Sequence, residues 1–250
     1  MCPKELANVC KVAKAYMGIE KFVLTMTIGT TFTGAVDDVF ALTESMGEAG
    51  INRRADVHIH ADAALNGGFW NILAANGRVE RLRLGHEIDS LSISGHKWYG
   101  GFIGGVVLMG NPPAVSGIQV PYLSFTDRMA SGSKDGLVAP KWHARLRQFN
   151  WEEELRRCET NAQYLMTKLS ERNIQSAKHN PGIIVVFPKP SDEFCDRFQL
   201  ATQDQFAHVC VMPHITVDIL DMFLDELDSD ICPEVGKPSI EMMQPIQCSF

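Results

Sequence analysis

The sequence predicts an α/β fold with a mainly parallel sheet, followed by a small α+β unit. Three observations carry that expectation. Short β-rich runs alternate with helical stretches through the first two-thirds of the chain. A long amphipathic stretch then breaks the rhythm, and a compact strand–helix–strand–helix block follows it. Alternation of this kind places helices against a parallel sheet.

Each element has its own reason. Lys4–Tyr16 carries Leu6, Val9, Cys10 and Ala13 at helical spacing. Val23–Ile28, Val57–Ala61, Ser90–Ser94 and Ile103–Met109 are short, largely apolar or β-branched, and bounded by Gly, Asp or Asn, as strands are. Asp37–Gly50 between the first two reads as a helix ending near glycine. Asn150 with Glu153 three residues on is a capping pair, and Leu155, Cys158, Ala162, Leu165, Met166 and Leu169 form one apolar stripe behind it. The closing block comprises strand Ile183–Phe187, a helix over about Ser191–Thr202, strand Ala207–Met212 and a helix over about Thr216–Leu227. The predicted division is a large domain over 1–150, a linking helix over 151–172, a small βαβα domain over 173–228 and a flexible tail over 229–250, where Pro233, Pro238 and Pro245 fall.

Composition narrows the function. Of 250 residues, 45% are hydrophobic and 21% charged, which supports a buried core and excludes general disorder. A net charge of −7 argues against nucleic acid and against a basic membrane-binding face. No apolar run approaches the roughly 20 residues of a membrane span. The charged N-terminal stretch leaves no room for a secretory core. Seven cysteines without a CxxC pair fit a reducing compartment, so a cytoplasmic location is expected.

Three polar segments sit where predicted strands end: Thr27 to Thr31, His58 to Ala64, and Ser92 to Trp98. Ligands of open parallel sheets bind beyond the carboxyl ends of the strands. Lys97 directly follows a strand and is placed to form a Schiff base, a role that lysines acquire through a lowered pKa; it also reads as a surface lysine in a turn. Asp62 ends an apolar strand ahead of Ala63 and Ala64. A carboxylate there calls for a partner, and the protonated ring nitrogen of pyridoxal 5'-phosphate is one; a cap for the next helix is the alternative. His58, His60 and Asp62 alternate along one strand and share a face, which also fits a metal-dependent hydrolase, although no further histidine follows at ligand spacing.

These motifs carry a family resemblance. Thr27-Ile28-Gly29-Thr30-Thr31 with Gly34, Ala35 and Asp37, then His60-x-Asp62-Ala63-Ala64, then Ser92-x-Ser94-Gly95-His96-Lys97-Trp98, resemble the pyridoxal-phosphate-dependent group II amino-acid decarboxylases, in particular the histidine and serine decarboxylase branch. Tyr122-Leu123, Asp127 and Gly132-Ser133-Lys134-Asp135-Gly136 resemble a further segment of that branch. Phe198 to Ala201, Ala207 to Val209 and Val211 to Pro213 are similar to its small C-terminal domain. The resemblance covers most of residues 23–228 in the family's order.

It implies a partial type I pyridoxal-phosphate-dependent transferase-like large domain and a small C-terminal domain. It implies that Lys97 is the Schiff-base lysine, that Asp62 partners the pyridine nitrogen and that Ala64 lies against the ring. Thr31 is placed by it near the ring hydroxyl and substrate carboxylate, and Ser94 and His96 at the phosphate. Gly132 and Ser133 fall near the partner subunit's site, since these enzymes are homodimers with shared active sites. Tyr122 is implied as a proton donor. The implied reaction is decarboxylation of an L-amino acid, histidine first and serine second. The family's Gly/Ser-rich phosphate loop and ring-stacking histidine are not found in the 22 residues before Val23. An incomplete chain whose Met1 is internal, or a short inactive relic that dimerises, are the two expectations, and the helix over Lys4–Tyr16 favours the first. In either case an exposed sheet edge and uncovered apolar surface are expected.

Overall fold

The computed structural model describes residues 1–100, 104–110, 117–120, 122, 125–127 and 135–230. Helix α1 (Pro3–Met17) starts on a proline that needs no N–H partner and stops at Gly18, which takes φ 66°. Strand β1 (Phe22–Thr27) follows, then α2 (Val39–Glu48), capped by Asp38, whose carboxylate accepts from the Phe40 and Ala41 N–H groups. Small buried residues Ala7, Cys10 and Ala13 line α1. They allow it to lie close against α2, and the Ser45 hydroxyl donates to the Pro3 carbonyl across the contact (2.7 Å).

A short helix α3 (Arg53–Asp56) leads into β2 (Val57–Asp62). A 3-10 turn over Asn66–Gly68, helix α4 (Trp70–Ala75), β3 (Ser90–Ser94) and β4 (Gly105–Met109) complete the first layer. The sheet order is β1-β2-β3-β4. The first three strands are parallel, and β4 runs antiparallel to β3. The fourth strand begins at Gly105, and Ile103, the start its apolar run predicts, lies outside the described residues.

The two faces of this sheet differ. Leu24, Met26, Ile59 and Ala61 pack with Leu42 and Met46 of α2 and with Cys10 of α1 in one core. Each such fully buried large side chain contributes about 1.5–3 kcal/mol of transfer free energy. The other face carries Thr25, Thr27, His58, His60, Asp62 and Ser92, and ends in Val23 (75% exposed), Val107 (65%) and Met109 (42%). Strand β4 is an edge with apolar side chains in solvent, as the sequence leads one to expect.

Strands β5 (Ile118–Val120) and β6 (Phe125–Asp127) pair as a separate antiparallel ribbon. Helix α5 (Val138–Gln148) precedes the long α6 (Trp151–Glu171). Asn150 Oδ1 accepts from the Glu153 N–H at the start of α6 (3.4 Å), and Leu155, Cys158, Ala162, Leu165 and Leu169 form its buried stripe.

The last block differs from the βαβα expectation. Strands β7 (Ala177–Lys178), β8 (Ile184–Pro188), β9 (Ala201–Gln203) and β10 (Phe206–Cys210) form an antiparallel sheet in the order β7-β8-β10-β9. Helix α7 spans only Asp192–Arg197. Gln199 takes φ 50° and ends any helical continuation, and Asp204 at φ 52° turns β9 back into β10. Helix α8 (Val217–Asp230) runs past the predicted start of the tail, and Asp230 accepts from the Ser191 N–H (2.9 Å). Residues 231–250 of that predicted tail lie outside the described residues.

Val185, Phe187 and Ala207 of this sheet pack on Leu165 and Leu169 of α6 and on Phe223 and Leu224 of α8. A third cluster, with Phe69, Trp98, Tyr99, Trp142, Leu155 and Ile183, ties the first layer to α5, α6 and the second sheet. Cys10, Cys158, Cys195 and Cys210 are free thiols, whereas Cys2 is disulfide-bonded, which the reading of the cysteines as reduced does not anticipate. Among the described residues no helix is long and apolar enough to cross a membrane.

Candidate active site

The carboxyl ends of β1, β2 and β3 lie side by side, because Thr27 pairs with Asp62 and Asp62 with Ser92. After β1 the chain makes a tight loop. The Ile28 N–H donates to the Asp62 carbonyl (2.8 Å), and the Gly29 and Thr30 N–H groups both donate to the Ala35 carbonyl. Asp37 closes the loop by accepting from the Thr27 N–H (2.8 Å) and donating its own N–H to the Thr27 carbonyl (2.9 Å). Gly29 is required at this point. It takes φ 94°, and a Cβ there would lie 2.3 Å from the amide nitrogen of buried Asn66. Thr31 therefore stands exposed at the loop tip, beside the end of β2.

Asp62 is exposed at the last position of β2. Its Oδ1 accepts from the Ala64 N–H (3.2 Å), so the capping alternative describes one oxygen; Oδ2 has no hydrogen-bond partner among the described residues. Ala64 is half-buried, and its carbonyl accepts from the Ser94 N–H (3.0 Å), which joins the two strand ends.

Lys97 sits in the turn after β3, held from below. Trp98 is 1% exposed and packs edge-on against Phe69 (4.9 Å between centroids), and the Tyr99 hydroxyl donates to the Gly68 carbonyl (3.0 Å). Lys97 itself is half-buried, and its amine makes no hydrogen bond or ion pair among the described residues. Its charge acts on the Cys210 thiol. Burial pushes that thiol up, and Lys97 pulls it partly back. Cys210 belongs to a fourth cluster with Phe32, Leu65, Ile184, Val186 and Phe206, so the second sheet walls the Thr31 loop and the Lys97 turn. Ser94 ends β3 half-buried, and His96 is exposed beside Lys97.

The structure thus brings Thr31, Asp62, Ala64, Ser94, His96 and Lys97 to one edge. Tyr122 is 86% exposed, and Gly132 and Ser133 lie outside the described residues. His58 and His60 do share a face with Asp62, but His58 Nε2 and both ring nitrogens of His60 are committed to Ser90 and Ser92. No group of three metal-ligating side chains assembles among the described residues. Sequence reasoning missed Asn66, Cys210 and the structural part played by Asp37. Only Asp37 has a visible signal, its fixed place in the Thr27–Asp37 motif.

Comparison with known proteins finds relatives over most of the chain. No protein-family model matches the chain. A histidine decarboxylase of Vibrio campbellii is 30% identical over 220 residues, covering 86% of this chain and 56% of its own length. Serine decarboxylase 1 of Oryza sativa subsp. japonica is 32% identical over 222 residues, covering 82% and 43%. The chain is homologous to the histidine and serine decarboxylases.

The fold agrees as well. An L-methionine decarboxylase of Streptomyces sp. 590 superposes with a TM-score of 0.72 at 25% identity, over 92% of this chain and 57% of that one. The Oryza sativa TDC solved with PLP has the same fold, with a TM-score of 0.67 at 17% identity over 92% of this chain and 52% of its own. The expected fold class, a type I transferase-like α/β layer followed by a smaller α+β unit, is therefore the observed one. The homologous chain spans about half the length of the curated relatives it matches.

Proposed function

We propose that this chain carries the Lys97–Asp62 half of a pyridoxal 5'-phosphate-dependent amino-acid decarboxylase. One observation carries the reading: an uncommitted lysine amine and a carboxylate with one open oxygen stand at the same strand-end edge, in a chain homologous to decarboxylases. Those groups suit the cofactor. Lys97 holds its aldehyde carbon covalently, and Asp62 holds the proton on its ring nitrogen. Ala64 leaves room for the ring, Thr31 supplies a hydroxyl beside it, and Ser94 and His96 hold the phosphate. When bound, the cofactor supplies an electron sink for the pair released as carbon dioxide departs.

The remaining tasks fall to the protein. The exposed carboxylate of Asp62 keeps the ring-nitrogen proton in place. The Thr31 loop, anchored by Asp37 and seated on Asn66, orients the substrate carboxylate. Tyr122 donates the proton that replaces the lost carboxyl group, and Gly132 and Ser133 belong to the site of the neighbouring subunit in a homodimer. The domain division at 150 and 172, with the second unit beginning at 173, separates the cofactor layer from the small domain that walls it. Histidine is the first-choice substrate, because histidine decarboxylases predominate among the relatives, and serine is second. The proposed location is the cytoplasm.

Carbon dioxide release from carboxyl-labelled histidine and serine, with pyridoxal phosphate added to the full chain, tests this reading. Release is expected from the parent and not from Lys97→Ala. Asp62→Ala lowers turnover by about a hundredfold or more while changing KM far less. Parent and Lys97→Ala chains with equal activity would refute the assignment of the lysine.

A further inference from the structure

The open face of the first sheet carries a row of hydrogen bonds that the proposed chemistry leaves unused. His58 Nε2 lies 2.9 Å from Ser90 Oγ, which lies 2.7 Å from His60 Nδ1; His60 Nε2 lies 3.2 Å from Ser92 Oγ. Ser92 pairs in register with Asp62. His60 and Asp62 are two residues apart on β2 and so share a face. The Ser92 hydroxyl, bonded to His60, lies on that face too. The row therefore ends one strand away from the carboxylate.

Proton bookkeeping for neutral imidazoles leaves three arrangements. A hydroxyl has one proton to give, and a neutral imidazole has one N–H and one acceptor nitrogen. In one arrangement His58 Nε2–H donates to Ser90, Ser90 donates to His60 Nδ1, and His60 Nε2–H donates to Ser92. The Ser92 proton is then free to point onward. In a second arrangement every proton points back toward His58, and in a third Ser90 accepts from both rings; in both of these His60 carries its proton on Nδ1 and Ser92 gives its proton to His60.

The two ends are unequal. At the His58 end the β1 neighbour in register is Val23, which accepts nothing. The Asp89 carboxylate is taken up by Arg53 (2.9 Å) and the Ile59 N–H (2.7 Å). At the Ser92 end stands Asp62, in register with Ser92 but not hydrogen-bonded to it in this structure, with Oδ2 open. An O–H donated to a carboxylate is about twice as strong as one between neutral groups, and aligned donors polarise one another in the same sense.

We propose that the row runs toward Asp62, with His60 as a positioning residue that fixes the Ser92 hydroxyl as a donor to the Asp62 carboxylate. The consequence for the cofactor rests on the reading of Asp62 given above; the direction of the row does not. In that role Ser92 orients the carboxylate, and His60 keeps Ser92 from turning its proton back along the sheet.

Imidazole 15N NMR of the full chain, without cofactor, decides the direction. His58 and His60 are both expected to carry their proton on Nε2. Replacing Ser92 with alanine is expected to shift the tautomer balance of His60, and Ser92→Thr to restore it. A His60 proton found on Nδ1 overturns the proposal. With pyridoxal phosphate added, Ser92→Ala is expected to weaken cofactor retention by about tenfold and Ser92→Thr to keep it, at matched thermal midpoints. Equal retention in all three chains overturns the link to Asp62. A parent chain that takes up no cofactor defeats the decarboxylase reading, while the tautomer measurement by itself still decides the direction of the row.

Discussion

A methyl group at Gly68 would lie 2.5–2.8 Å from Cδ1, Cγ and Cβ of Trp98, at the rooted end of that side chain. Trp98 cannot move aside without moving Lys97, its neighbour in the chain. Gly68→Ala is therefore expected to destabilise the fold by about 1–3 kcal/mol and to disturb the lysine turn, as read by urea unfolding; an unchanged midpoint would show that Trp98 does not anchor the turn. At this scale the sequence is legible where chemistry is concentrated. Lys97 and Asp62 stand out because a charged group at the end of an apolar strand needs a reason. Asn66 and Cys210 do not stand out, since their importance comes from what lies across from them. Asn66 packs against Gly29, and the charge of Lys97 acts on the Cys210 thiol, and no local pattern encodes either.

Strand β10 shows how an element meets the site. Phe206, His208 and Cys210 alternate onto the face that meets the Thr31 loop, and Phe32 stacks edge-on against the His208 ring (4.8 Å). His208 Nδ1 is buried without a hydrogen-bond partner among the described residues, and burial holds the ring below the usual histidine pKa. The unfolded chain therefore binds a proton more readily than the folded one. The stabilising balance is complete above the unfolded value of about 6.5 and falls as pH drops below it. Stability should decline on acidification below pH ~6.5, and His208→Phe should flatten that part of the profile in thermal unfolding; an unchanged slope would assign the decline to other groups. The element pattern also explains the misreading of the second sheet. Two- and three-residue strands such as β7 and β9 are too short for an alternation to register. The end of α7 and the turn from β9 into β10 depend on positive φ angles at Gln199 and Asp204 respectively, which side-chain type alone does not announce.

At the scale of the whole molecule, the first sheet buries one face under α1 and α2 and turns the other outward, while the second sheet closes on the strand ends that carry Thr31 and Lys97. Parallel strands, order along the chain and the amphipathic α6 were legible in hydrophobic periodicity, because burial on one side leaves a repeating mark. The antiparallel second sheet and the Lys97–Cys210 approach were not, because they arise from packing between distant segments. The edge bearing Lys97 and Asp62 is the centre of this account, and the covalent identity of its lysine is the most direct test. The visible absorbance spectrum of the purified chain would be recorded with pyridoxal phosphate, before and after borohydride, beside Lys97→Ala. The account predicts a band in the parent that borohydride converts into a stable adduct on Lys97, and no such band in the variant. A folded parent with no band, or an adduct fixed on another lysine, would contradict it.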